Sequence, residues 1–452
     1  MTAPDGAWRT DVVATLRQLN ELIAVLIEHL EPEQDPDPDP EPPAPATLAD
    51  RYKRWSNGPN PTGDPAYWPI GVWMQNPDRV YQGKTSAQAY AEIGVNLDIT
   101  INAWPAATWA PAMEDELLAR RWPAAMWANG DYRSTTFPGI ERLRARPELG
   151  PVITMWGLDD EPDIRRDNAA DTTIYPLNFK DFGDKVRAAD PTRPVYANFG
   201  KGMAVPEWNG YHEESPGGTG TYYGDMALYS DAVDILSVDF YGWTDPYEAA
   251  SQKGAWTYGR AIDSARRNCG AGKLVWGFVE GSHPWSVSAP NATNSTITAA
   301  KLEAAVWNMV AHGADGIVYF AHHFDNTGTV YEDGMLRLPA VRAAAATVNQ
   351  ALRALAPVLN TPSTTGQVSV TSTNAVPVTF MHKIQGGFHH VIAVADGNES
   401  KPLSGLTTAT FAVPVQSGTA DVVGEARTVP ISGGKMVDSF AAYGHHVYRF
   451  AA

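Results

Sequence analysis

Between Tyr67 and about Asn360 the chain repeats one pattern, a short and almost continuously apolar run followed by a stretch with helical spacing. The runs are YWPIGVWMQNP, GVNLDITINAW, RWPAAMWANG, PVITMWGLDDEP, RPVYANFG, VDILSVDFYGW, KLVWGFVEG and GADGIVYFAHHF. A strand with one wet face alternates apolar and polar residues; these runs scarcely alternate, as expected of strands buried on both faces. Between them lie stretches such as TSAQAYAEIG, MEDELLARR, NFKDFGDKVRAAD, GRAIDSARRN and AAKLEAAVWNMVAHG, and AVRAAAATVNQALRALAPVL closes the series. Eight strands alternating with eight helical slots predict an α/β fold, a closed (β/α)8 TIM barrel over residues 51–360. A doubly wound open sheet is the rival, but no run is followed by a phosphate-cradling glycine pattern. GGTGTYYG places Tyr223 where the third glycine would stand.

From about Gly366 the period changes to two. QVSVTS, PVTFMHKI, HHVIAVADG, ATFAVPV, TADVVG and HHVYRF, separated by Gly, Asn and Ser, predict a C-terminal antiparallel β-sandwich over 361–452 that packs on the barrel as an accessory domain. At the other end, Val12, Leu16, Leu19, Ile23, Leu26 and Leu30 are spaced alternately by four and three, which keeps one apolar seam on a helix. Residues 1–30 therefore read as an N-terminal coiled-coil helix that joins copies into a homo-oligomer. Leu22 and Val25 widen the stripe and favour a trimer; a helix docked on its own chain is the alternative. Residues 31–50 contain EPEQDPDPDPEPPAPA, in which proline alternates with acid, forming a stiff linker extended at ~3 Å per residue.

Charge narrows the partners. Lys and Arg total 34 against 51 Asp and Glu, a net charge of -17, which argues against nucleic acid. The single cysteine, Cys269, excludes an intramolecular disulfide framework and reads as buried filler. MTAPDGAWRTD has no basic region of the signal-peptide kind and no run reaches the ~20 apolar residues of a membrane span, so neither a signal peptide nor a membrane partner is expected. Fifteen tryptophans suit a ligand with flat, weakly polar faces such as sugar rings, although core packing accounts for tryptophans equally well.

In such a barrel the working residues stand at the C-terminal ends of the strands. Those ends give Trp73 and Gln75, Asn102 and Trp104, Trp127 and Asn129, Asp160 and Glu161, Asn198, Tyr241 and Trp243, Glu280 and His283, and His322 with His323. Two carry Glu on an otherwise apolar strand, Glu161 after the fourth and Glu280 after the seventh, facing each other across an eight-strand ring. Paired carboxyls in unlike environments are what glycosidic cleavage needs, one to protonate the leaving oxygen and one to attack the sugar or activate water. DEP by itself reads as a helix cap; the pair is the signal. Substrate contacts are expected from Trp73, Gln75, Asn102, Trp104, Trp127, Asn198, Trp243, His283, Trp285 and His322, with Trp208 on a long loop as a further wall. Neighbouring His322 and His323 point to opposite faces of a strand, so no metal is expected despite Asp325, and no cofactor is implied.

With Glu at the ends of the fourth and seventh strands, the chain from Tyr67 to Asn360 resembles clan A glycoside hydrolases, the retaining barrel glycosidases. The resemblance implies Glu161 as acid/base, Glu280 as nucleophile and Tyr241 as the sixth-strand tyrosine that steadies the nucleophile. It departs from the clan at Asp160, where Asn is usual: a carboxylate accepts a hydrogen bond from the sugar instead of donating one, and its charge would help keep Glu161 protonated. No second-strand arginine is found; NLDITINAW offers Asp98 and Asn102. An oligomerising helix and spacer ahead of such a barrel resemble the minor tail proteins of bacteriophages, and the Ala, Pro, Trp and Asp-rich composition suits a phage of high-GC actinobacteria. That resemblance implies an extracellular place on a virion tail, other tail proteins as partners and a host-envelope polysaccharide as substrate. A catalytically inactive glycan-binding tail or adhesion protein on the same barrel is the alternative.

Overall fold

The computed structural model describes residues 47–99, 110–164, 175–205, 222–249, 253–270, 272–285, 296–324, 329–398 and 405–452. The coiled-coil helix, nearly all of the linker, Asn102, Trp104, Trp208 and Asp325 lie outside the described residues.

Eight parallel strands close on themselves: Ile70–Trp73, Leu97–Ile99, Ala124–Trp127, Ile153–Asp160, Val195–Phe199, Ile235–Val238, Leu274–Glu280 and Gly316–Phe320. Closure is the pairing of the first strand with the eighth, Ile70 opposite Ile317. Each strand is followed by a helix, and the predicted TIM barrel is observed. Proline at the first turn starts four of these helices, at Pro111, Pro138, Pro176 and Pro339, where its missing N–H costs nothing. Thr85 and Thr298 cap two others by accepting the amides of Gln88 and Lys301.

The barrel interior is aromatic. Trp73 packs edge-on against Trp127 and Phe278, with ring centroids 6.2 and 5.3 Å away, and Tyr196 lies 5.9 Å from Trp276. Rings of this size fit because the neighbouring strand offers glycine. A Cβ on Gly157 would meet Trp127 Cε3 at 2.6 Å, and one on Gly316 would meet Trp276 Cδ1 at 2.8 Å.

Residues 47–50, placed in the linker by the sequence, instead belong to the barrel. Leu48–Tyr52 is a helix capped by Thr47, and Leu48 N–H bonds Asn360 O at 2.8 Å, joining the two ends of the barrel segment. After it, eight antiparallel strands run from Ser369 to Ala451 as one hydrogen-bonded ribbon that curls into the predicted sandwich around its own core. Two of its hairpins turn on glycine pairs with positive φ, Gly386–Gly387 and Gly433–Gly434, as two-residue turns require. Met381, Ile392, Val394 and Val447 on its barrel-facing side belong to the main core, so barrel and sandwich form one compact unit.

A buried polar lock fastens the seam. Asp396 of the sandwich accepts hydrogen bonds from Asn308 of the barrel and Thr379 of its own domain. His312 lies between Asp263 at 2.8 Å and Asp396 at 3.4 Å. Burial alone would lower the His312 imidazolium, but the two carboxylates outweigh it and hold it up at about 9. The unfolded chain loses this proton near pH 6.5 and the folded one near 9, so the contribution is complete below 6.5 and disappears as pH rises through 9. Urea unfolding between pH 6 and 9.5 is therefore expected to show a loss of up to about 3 kcal/mol in the wild type that His312→Gln does not share; parallel pH profiles for the two proteins would contradict the lock.

Candidate active site

The chain departs from regular geometry where the fourth strand ends. Gly157 pairs with Tyr196, but the next pair toward the mouth is Asp160 with Asn198, leaving one extra residue on the fourth strand. This bulge turns Asp160 toward the barrel axis, the side that Tyr196 and Asn198 face. Glu161 follows with φ +48, a left-handed conformation that Glu adopts at a cost, and its N–H is held by Asn198 O at 2.9 Å. Its carboxyl lies over Gly200, where a Cβ would come within 2.9 Å of Oε1. The loop beyond is tied down by Asp163, which is fully buried and accepts the amides of Gly200 and Met203 at 2.8 Å each. Burial raises the Asp163 carboxyl to about 6 against those amides.

Asn198 fixes the next layer. Tyr196 and Ser237 hydroxyls pair at 2.6 Å, Ser237 donates to Asn198 Oδ1 at 2.8 Å, and Asn198 Nδ2 donates to Asp160 at 2.9 Å and Asp239 at 3.3 Å. Asp239 is not among the residues expected in the site, although it stands two positions before Tyr241, just past the end of the strand Ile235–Val238. Burial, then the charge of Asp160, raises its carboxyl to about 8. The Tyr241 phenol faces Asp239 and lies within electrostatic reach of both Glu161 and Glu280. It thus marks the space the two glutamates share.

Glu280, the last residue of the seventh strand, is fully buried. Tyr258 OH stands 2.9 and 2.7 Å from its two oxygens, and Thr244 Oγ1 donates to Oε1 at 2.9 Å. Tyr258 comes from the helix Trp256–Asn268, whose start packs so closely on the sixth-strand turn that a Cβ on Gly242 would overlap Thr257 Oγ1 at 1.7 Å. The tyrosine that steadies Glu280 is therefore Tyr258, whereas Tyr241 makes no hydrogen bond to it; nothing in GAWTYGR signalled this, because the contact depends on helix docking. Burial pushes the Glu280 carboxyl up to about 7, opposed by Tyr258, Thr244 and the charge of Lys301.

The expected sugar contacts divide. Trp73 and Trp127, 2% and 7% exposed, fill the barrel and offer no face for stacking. Trp243 is 4% exposed, edge-on to Tyr443 of the sandwich at 5.2 Å with Lys301 over its ring, so it seals the domain seam. The Gln75 amide is spent on the carbonyls of Trp73 and Glu332, and Asn198 is spent on the two aspartates. His283 bonds Thr296 through Nδ1 and is nearly buried, and burial lowers His322 to about 4, which leaves it neutral against Phe320. Asp98 is buried in the barrel wall beside Trp122. Trp285 remains: half-buried, it donates to Thr244 at 3.4 Å and meets Tyr241 and the largely exposed Tyr247 edge-on. With Phe320, 5.4 Å from Tyr241, these rings form an aromatic wall beside Glu280.

The buried glutamate is costly. The unfolded chain loses this proton near pH 4.5 and the folded one near 7, so stability is present below 4.5 and lost as pH rises through 7. Glu280→Gln lacks the titration; in urea unfolding its stability advantage is expected to grow by up to about 3 kcal/mol between pH 4 and pH 8. An advantage independent of pH would refute the raised value.

No protein-family model matches the chain, and no curated protein matches it in sequence. Solved structures do. Gan42B, a GH42 β-galactosidase from G. stearothermophilus, superposes with a TM-score of 0.53 at 9% identity, covering 85% of this chain and 98% of that one. A catalytic mutant of the same enzyme gives 0.51 at 9% identity with the same coverage. At such identity the likeness is one of fold, a parallel eight-strand barrel followed by further structure.

Proposed function

We propose that the protein is a retaining glycoside hydrolase in which Glu280 is the nucleophile and Glu161 the acid/base. The observation that carries this reading is the placement of two glutamates at the C-terminal ends of the fourth and seventh barrel strands, with Tyr241 in the field of both. The solved neighbour is itself a β-galactosidase with a barrel of the same kind. In the first step the Glu280 carboxylate bonds to the anomeric carbon as the glycosidic C–O bond breaks, and Glu161 gives its proton to the departing oxygen. In the second, Glu161 takes a proton from water, whose oxygen displaces Glu280. The aromatic wall of Trp285, Tyr241 and Tyr247 offers ring faces to a sugar, as stacking on a pyranose or furanose requires.

The proposed substrate is a cell-envelope polysaccharide of an actinobacterial host, met by a virion tail component that oligomerises through residues 1–30. The support is the heptad spacing and the acidic proline spacer ahead of the barrel.

Reducing-sugar release from purified actinobacterial wall polysaccharides is expected for the wild type, with retained anomeric configuration in the first product by proton NMR, and is expected to vanish in Glu161→Gln and Glu280→Gln while binding persists. Wild-type binding without release across a broad glycan panel would replace the enzyme with a glycan-binding module. Tyr258→Phe removes a donor that favours the Glu280 carboxylate, so kcat is expected to fall roughly tenfold or more and the acidic limb of kcat/KM to move to higher pH. An unmoved limb would assign Tyr258 to packing.

A further inference from the structure

Opposite the glutamates, at the N-terminal ends of the barrel strands, a cavity of about 310 Å³ opens between the helix Leu48–Tyr52, the base of the eighth strand and the sandwich strand Val378–Gln385. Four bases and one acid line it: Arg51, Arg266, His312, Lys383 and Asp315. The His312 charge is answered by Asp263 and Asp396. Asp315 accepts Val275 N–H at 3.0 Å, pairs with Arg266 and lies 3.8 Å from Arg51.

Lys383 has no such answer. It is 6% exposed, its ammonium donates to the carbonyl of Thr361, and among the described residues no carboxylate comes within ion-pair distance. Asp315 is near enough to favour its charge and Arg266 near enough to oppose it, while burial lowers the ammonium to about 8, still charged at neutral pH. An ammonium has three protons to donate, and a buried cation without a counter-charge is among the costliest groups a fold can hold. Arg266 also donates to the carbonyls of Lys273 and Gly313, and Arg51 to that of Lys273, so Lys383 is the cation of this cavity whose charge no described carboxylate answers.

We propose that this cavity binds an oxyanion of the phosphate or sulfate class, held by Lys383, Arg266 and Arg51. The three cations come from three separate elements, a sandwich strand, the helix after the sixth barrel strand and the helix that precedes the barrel, and so approach from different directions. A tetrahedral anion has an oxygen for each; a planar carboxylate offers two, both on one edge. Occupancy ties the entering helix and the sandwich to the base of the barrel, and so acts on stability from the end remote from the glutamates. The assignment is independent of the glycosidase reading.

The test is calorimetric titration and thermal melting of the full chain at pH 7 with inorganic phosphate, sulfate and acetate, ionic strength being held constant with chloride. Saturable binding of phosphate and sulfate with a rising Tm, and weaker binding of acetate, is the expected result. Lys383→Met is expected to weaken phosphate binding roughly tenfold or more, with Lys383→Arg retaining it. The site is overturned if the wild type shows no saturable heat and no Tm rise with phosphate or sulfate up to about 20 mM, if acetate binds as well, or if Lys383→Met binds phosphate undiminished. The wild-type titration decides the matter even where a variant fails to fold.

Discussion

Four carboxyl groups crowd one end of this barrel, and the need to hold them there shapes much of what surrounds them. Asp160, Glu161, Asp239 and Glu280 stand at the C-terminal ends of three strands, near Tyr241. Two like charges ~4 Å apart cost about 4 kcal/mol at an effective dielectric of 20, which opposes full ionisation of such a set. The structure meets this in two ways. Neutral donors do the holding, with Asn198 bridging Asp160 and Asp239, and Thr244 and Tyr258 on Glu280. Protons do the rest, since Asp239 and Glu280 are both raised by burial into or above the neutral range.

This arrangement gives a physical sense to the acid that stands before Glu161. The amide of this layer comes from the neighbouring strand: Asn198 presents its NH2 to Asp160, and the Tyr196–Ser237 hydroxyl pair fixes which way the amide faces. Placing Asp160 opposite Asn198 requires the bulge after Gly157, and the chain then leaves the strand through the left-handed φ of Glu161. Met74 and Asn129, close behind the first and third strands, have positive φ as well, so three strand ends at the mouth of the barrel carry left-handed residues that a rigid wall can sustain.

The barrel was readable in the sequence because strands buried on both faces leave a mark that needs no partner to interpret, a short apolar run between helical stretches. The two glutamates stood out in the same way, as acids at the ends of strands whose bodies are apolar. Side-chain direction was not. Trp73 and Trp127 end their strands as a platform residue would, yet both turn inward; the sign that they do is the glycine opposite, Gly157 beside Trp127, which becomes meaningful once the strand register is known. Tyr258 was out of reach altogether, because its distance from Glu280 depends on how a helix docks against Gly242 and not on any local pattern.

With those tryptophans assigned to the core, the mouth divides by chemistry. The fourth, fifth and sixth strands bring Asp160, Glu161, Asn198 and Asp239, all polar and mutually hydrogen-bonded or charged; the segments following the sixth, seventh and eighth strands bring Tyr241, Tyr247, Trp285 and Phe320. A sugar ring is divided in the same way, hydroxyls around its edge and C–H groups on its faces. In the proposed reaction, a ring laid against Trp285 would turn its edge toward Asp160 and Asp239, with its anomeric carbon between Glu161 and Glu280. Tyr241 belongs to both halves, its ring in the aromatic wall and its hydroxyl against Asp239, so the position of this one side chain sets how the polar half and the apolar half of the mouth meet.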